Sequence, residues 1–122
     1  MEDIVNKKVV LKIAHQIEEH KGSNTIVLYV GEISSWTDYF IISTVRSGRH
    51  LFSLVKTLNI FLEENNIQTL NYNKRIKENG WVLLDCGNII IHLMEKEQRD
   101  FYELENLWFR SKILYRSERQ EE

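Results

Sequence analysis

The chain predicts an α/β fold, a single-domain mixed sheet of about five strands flanked by helices. Short runs rich in β-branched and aromatic residues alternate with longer segments whose apolar residues recur every three or four positions. Its 122 residues suit one compact domain, and no linker, repeat or low-complexity tract divides them. Hydrophobic residues make up 43% and charged residues 28%, enough to fill a core and keep the outside wetted.

The first segment, "DIVNKKVVLKIAHQIEEHKGSN", sets Ile4, Val5, Val9, Leu11, Ile13 and Ile17 at mostly helical spacing and places Gly22 as a C-cap. "TIVLYV" reads as a strand, "GEISS" as a turn and "TDYFIISTV" as a second strand. In "RSGRHLFSLVKTLNIFLEEN", Leu51, Leu54, Val55, Leu58 and Leu62 form the apolar stripe of a helix, with Ser47 as its N-cap. "IQTLNY" is a shorter strand and "NKRIKENG" a polar connection. "WVLLDCGNIIIHLM" supplies two strands about a tight turn, and "EKEQRDFYELENLWF" a last helix. There Phe101, Leu104 and Trp108 share a core face, leaving Tyr102, Glu103 and Glu105 off it. The domain is expected over residues 1–109, with 110–122 a charged tail of mixed sign that frays.

The formal net charge of −2 argues against a globally basic nucleic-acid binder. Cys86 is the single cysteine, which excludes an intrachain disulfide and argues against a zinc cluster. His15, His20 and His50 fall in no metal-ligand spacing. No apolar run reaches the ~20 residues of a membrane span and "MEDIVNKKVV" lacks a secretory core, so a soluble, cytoplasmic protein is expected.

The "DCGN" hairpin divides its residues between two faces, because strand side chains alternate. A two-residue loop at Cys86–Gly87 or at Gly87–Asn88 gives the same division. One face holds Val82, Leu84, Ile89, Ile91 and Leu93, all aliphatic; the other holds Trp81, Leu83, Asp85, Ile90, His92 and Met94. That second face is open to two readings. It packs as a second core, with His92 satisfied by a hydrogen bond, or it is a partner surface anchored by Trp81, since Trp and Met are enriched at interfaces.

The segments "SSWTDYFIIST" (34–44), "SGRH" (47–50), "GWVLLDCGNIIIHLM" (80–94) and "RDFYELENLW" (99–108), in this order, resemble the ribosomal silencing factors, the RsfS or Iojap family. The resemblance covers nearly the whole chain up to Trp108. It departs at Val45-Arg46-Ser47-Gly48, at Asn88 after the turn glycine, and in the more basic "NYNKRIKENG". What it implies is a nucleotidyltransferase-like fold without catalysis or cofactor. It further implies binding to the large ribosomal subunit through ribosomal protein L14, blocking the small subunit and repressing translation under nutrient limitation. Trp81, Asp85, His92, Met94, Tyr102 and Glu103 are then the expected contact residues, with carboxylates suited to a basic partner. Arg46 and Arg49 beside Ser47 offer a minor contact with ribosomal RNA, and a homodimer is left open. The alternatives are a maturation factor for the large subunit and a divergent nucleotidyltransferase-like enzyme. Against the enzyme, "GSN" at Gly22–Asn24 matches half of the usual motif, but the strands after it offer only Asp38 where paired carboxylates are needed to hold metal ions.

Overall fold

The structure, a computed structural model, describes residues 7–35, 37–69, 71–72, 80–102 and 111–117. Its elements are α1 (Lys7–Glu19), β1 (Ser23–Tyr29), β2 (Tyr39–Val45), α2 (Gly48–Glu64), β3 (Asn71–Tyr72), β4 (Trp81–Asp85), β5 (Ile89–Glu95), α3 (Lys96–Tyr102) and β6 (Lys112–Arg116). The strands form one mixed six-stranded sheet in the order β3-β4-β5-β2-β1-β6. Neighbours are antiparallel except β2 and β5, which run parallel at its centre.

Helices α1 and α2 cover one sheet face. The α2 stripe Leu51, Leu54, Val55, Leu58 and Leu62 is fully buried, as its spacing requires. In α1 the buried set is Val10, Ile13, Ala14 and Ile17, while Val9 and Leu11 are half-buried at its flanks. The stripe is rotated from the sequence reading, with Val10 and Ala14 inside it where Val9 and Leu11 were expected. Ile4 and Val5 lie outside the described residues. Both stripes pack on Val27, Ile41, Val82, Leu84, Ile89, Ile91 and Leu93. The opposite face has its own cluster of Ile26, Leu28, Val30, Phe40, Ile42, Ile90 and Met94.

The turn after α1 differs from the expected glycine cap. Lys21, not Gly22, takes the left-handed conformation, at φ 76°. Lys21 N–H donates to Glu18 O at 3.0 Å and Gly22 N–H to Ile17 O at 2.9 Å, the pair of bonds that closes a Schellman motif. Gly22 is needed for a different reason, since a Cβ there would run into Ile17 Cγ2 and Ser43 Oγ. The α2 cap is as expected: Ser47 Oγ accepts from His50 N–H at 3.1 Å. The His50 ring then bridges two segments, its Nδ1 accepting from Arg46 N–H at 3.0 Å and its Nε2 donating to His20 O at 2.8 Å.

The expected third strand does not extend over residues 67–69; among the described residues it pairs at Asn71–Tyr72. The larger correction concerns the tail. Residues 112–116 form an edge strand on β1 rather than a frayed end. Leu114 and Tyr115 pack on the helical-side core, and Tyr115 OH donates to the Glu18 carboxylate at 2.7 Å, tying the strand to α1. Ser117 N–H adds a bond to Thr25 O at 2.8 Å.

Candidate functional site

The hairpin of β4 and β5 realises the two faces read from parity. Trp81 pairs with Met94, Leu83 with His92 and Asp85 with Ile90 on one side, and Val82 with Leu93 and Leu84 with Ile91 on the other. Cys86 N–H donates to Ile89 O at 2.8 Å, which fixes the loop as Gly87–Asn88, with Gly87 at φ 84°. Val82, Leu84, Ile89, Ile91 and Leu93 are fully buried beneath the helices.

The second face is graded. Along β4, Trp81, Leu83 and Asp85 are half-buried, whereas along β5 Ile90, His92 and Met94 are buried. The cause is lateral position. β5 is flanked on both sides, by β4 and β2, while among the described residues β4 has the two-residue β3 beyond it. Met94 is 0% exposed and His92 5% exposed, so both are corrected from contact residues to the floor beneath an open β4 row. Leu83 belongs to that row although the six expected contacts omit it; strand parity was the signal that placed it there.

Trp81 enters the row directly after Gly80, whose φ of 65° suits glycine and whose carbonyl accepts from Glu95 N–H at 2.8 Å. The indole leans over β5: its Nε1–H donates to His92 Nδ1 at 3.2 Å, with ring centroids 5.9 Å apart. The Phe40 ring stands 5.2 Å from His92. Burial holds the His92 imidazole down at about 4, so the ring is neutral near pH 7. At the other end of the row, Asp85 Oδ1 accepts from Gly87 N–H at 2.9 Å, a local turn bond. Tyr102 closes α3, but its side chain, and all of Glu103, lie outside the described residues.

Beside this face, the buried Arg99 of α3 was not singled out by the sequence. Its guanidinium donates to Asn24 O and, at 2.9 Å, to Thr44 Oγ1. Asn24 sits at φ 50° where the β1–β2 register slips, so Arg99 serves a carbonyl at an irregular point of the ladder. Cys86 is buried, and its thiol is pushed up to about 11 by desolvation; a Thr69 hydrogen bond opposes the rise and the nearby Asp85 adds to it. That thiol is protonated and inert. Asp38 uses its backbone, accepting from Val30 N–H at 2.8 Å and donating to Asn88 O at 3.1 Å. Among the described residues, no group of three or more His, Cys, Asp or Glu side chains could hold a metal ion, and no helix is long and apolar enough to cross a membrane.

The family model described as ribosomal silencing factor during starvation matches residues 4–122, the C-terminal strand included. A Bacillus subtilis ribosomal silencing factor is 30% identical over 105 residues, covering 85% of this chain and 88% of the relative. The mouse protein named mitochondrial assembly of ribosomal large subunit protein 1 is 32% identical over 94 residues, covering 75% of this chain and 41% of that one. A crystal structure of a Chromobacterium violaceum protein superposes with a TM-score of 0.77 at 26% identity, covering 86% of this chain and 88% of its own. One from Bacillus halodurans, 23% identical, shares the fold with a TM-score of 0.76 over 90% of this chain and 99% of its own. With a family model spanning all but its first three residues, the chain belongs to the ribosomal silencing factor family.

Proposed function

We propose that this protein binds the large ribosomal subunit through ribosomal protein L14 and blocks joining of the small subunit by occupying the surface between them. The β4 row carries the reading. Trp81, Leu83 and Asp85 offer an aromatic, an aliphatic and a carboxylate side by side on a rigid strand over a closed floor. A half-buried Trp beside apolar neighbours is the residue type that most often dominates interface energy. The mechanism is steric and cytoplasmic, needs no cofactor and asks for no turnover. An affinity of ~1 µM corresponds to about 8 kcal/mol, which one interface of ordinary size with a few anchors supplies. Tyr102 and Glu103 complete the proposed contacts, with His92 and Met94 supporting from below.

The test is gradient sedimentation with purified subunits. The protein should travel with the large subunit, lower the yield of assembled ribosomes, and lose both effects when Trp81 is replaced by Ala. Migration apart from the large subunit would overturn the proposal. The mouse relative's name, with its reference to assembly of the large subunit, favours a second reading as a maturation factor. Preferential sedimentation with immature large-subunit particles would select it.

A further inference from the structure

We propose that His92 is a positioning residue that holds the Trp81 indole in one orientation on the β4 row, ready for its partner. This rests on the docking role given to Trp81 above. The two residues are diagonal neighbours across the hairpin, since Trp81 pairs with Met94 and His92 with Leu83. Trp81 Nε1–H donates to His92 Nδ1 at 3.2 Å, and Phe40 backs the imidazole from the neighbouring strand. The indole is thus fixed by a buried acceptor that is itself held between two rings.

The rest of the imidazole shows that folding alone does not explain a histidine here. With Nδ1 accepting, the proton of the neutral ring resides on Nε2, and Nε2 is buried with no hydrogen-bond partner among the described residues. A buried donor left in that state opposes folding, and an apolar ring of similar shape would not carry the penalty. What imidazole does at this position, and Phe or Leu cannot, is accept the indole proton. An aromatic anchor already ordered in the free protein loses less freedom on binding. His92 therefore acts on the partner through Trp81, without touching it.

His92→Phe keeps an aromatic ring and removes the acceptor. The full chain carrying it should melt at or above the temperature of the parent, yet bind the large subunit about tenfold more weakly, the scale of one lost hydrogen bond. The Trp81 indole N–H resonance, assigned by its loss in Trp81→Phe, should shift. His92→Asn, whose amide can offer an oxygen near the Nδ1 position, should recover both the resonance and most of the affinity. Should His92→Phe fold poorly, the binding cycle is run with His92→Asn and His92→Leu against Trp81→Phe, which removes the donor instead. Once the donor is gone, changes at His92 should have no further effect on binding. Parental affinity in His92→Phe with a shifted indole resonance, or additive losses in the cycle, would reduce His92 to a core residue. If Trp81→Ala itself binds normally while the indole resonance still follows His92, the docking face has failed and the local coupling has not.

Discussion

Replacing Leu84 and Trp81 by Ala, one at a time, tests which side of the hairpin is core and which is surface. The two residues lie on the same short strand but on opposite faces. Leu84 is 0% exposed, pairs with Ile91 in register and sits in the cluster formed by both long helices and the sheet. Its truncation removes three methyl or methylene-sized groups from a close-packed interior and leaves a cavity that rigid neighbours on the sheet fill poorly. The expected loss is ~2–5 kcal/mol of stability, read by urea or thermal unfolding. Trp81 is half-buried against the second cluster, so part of its ring is already in contact with water. Its truncation should cost clearly less than that of Leu84 in the free protein. It should nevertheless weaken large-subunit binding by about 2 kcal/mol or more, as anchor truncations do. Both quantities are measured on the same preparations. A Trp81→Ala protein that unfolds more readily than Leu84→Ala would refute the assignment of faces, and one that binds normally would remove Trp81 from the mechanism.

Acid stability should report His92: the unfolded ring, near 6.5, takes up a proton that the folded ring, held at about 4, refuses. Its contribution is therefore complete above pH 6.5 and is lost as the pH falls from there towards 4, by about 3 kcal/mol at most; unfolding titrations should show the slope, and His92→Phe should flatten it. Arg99→Met should cost ~1–3 kcal/mol by leaving Asn24 O and Thr44 Oγ1 without their shared donor; a melting point equal to the parent's would deny the buried guanidinium its role. Asp85→Asn keeps an acceptor for Gly87 N–H, so stability should hold within ~0.5 kcal/mol while association with a basic partner slows and becomes less salt-sensitive; an unchanged salt dependence in stopped-flow binding would contradict a role for that charge.

Parity and helical spacing made the interior legible. Five leucines and valines of α2 and five aliphatic residues of the hairpin are buried as their periods required, because those periods are set by backbone geometry alone. What periodicity does not encode is lateral order. His92 and Met94 share a face with Trp81, yet they disappear into the sheet because β2 lies alongside β5 in parallel, a pairing between segments far apart in sequence. The strand at Lys112–Arg116 was hidden for a related reason. It is an edge strand whose charged ends are wetted, and its order comes from β1 and the Tyr115–Glu18 bond rather than from its own pattern. Arg99 offered no signal either, since its partner carbonyl exists only because β1 is irregular at Asn24.

The same lateral order makes the proposed docking surface compatible with a stable sheet. The central strands carry the parallel pairing and both cores, and their residues on the second face are already closed to water. Within the hairpin it is β4, one strand from the edge, that leaves alternate side chains half open, while β5 beside it is closed. Five residues of strand, four steps along the backbone, carry the row from Trp81 to Asp85 over roughly 13 Å. That is the length of an energetic centre, not of a whole interface, so the surrounding contacts serve chiefly to exclude water around it. Each end of the row is tied down in the free protein, Trp81 by His92 and Asp85 by the Gly87 backbone. Binding then costs little ordering of these groups, and specificity can be tuned on β4 while the buried strands beside it stay unchanged.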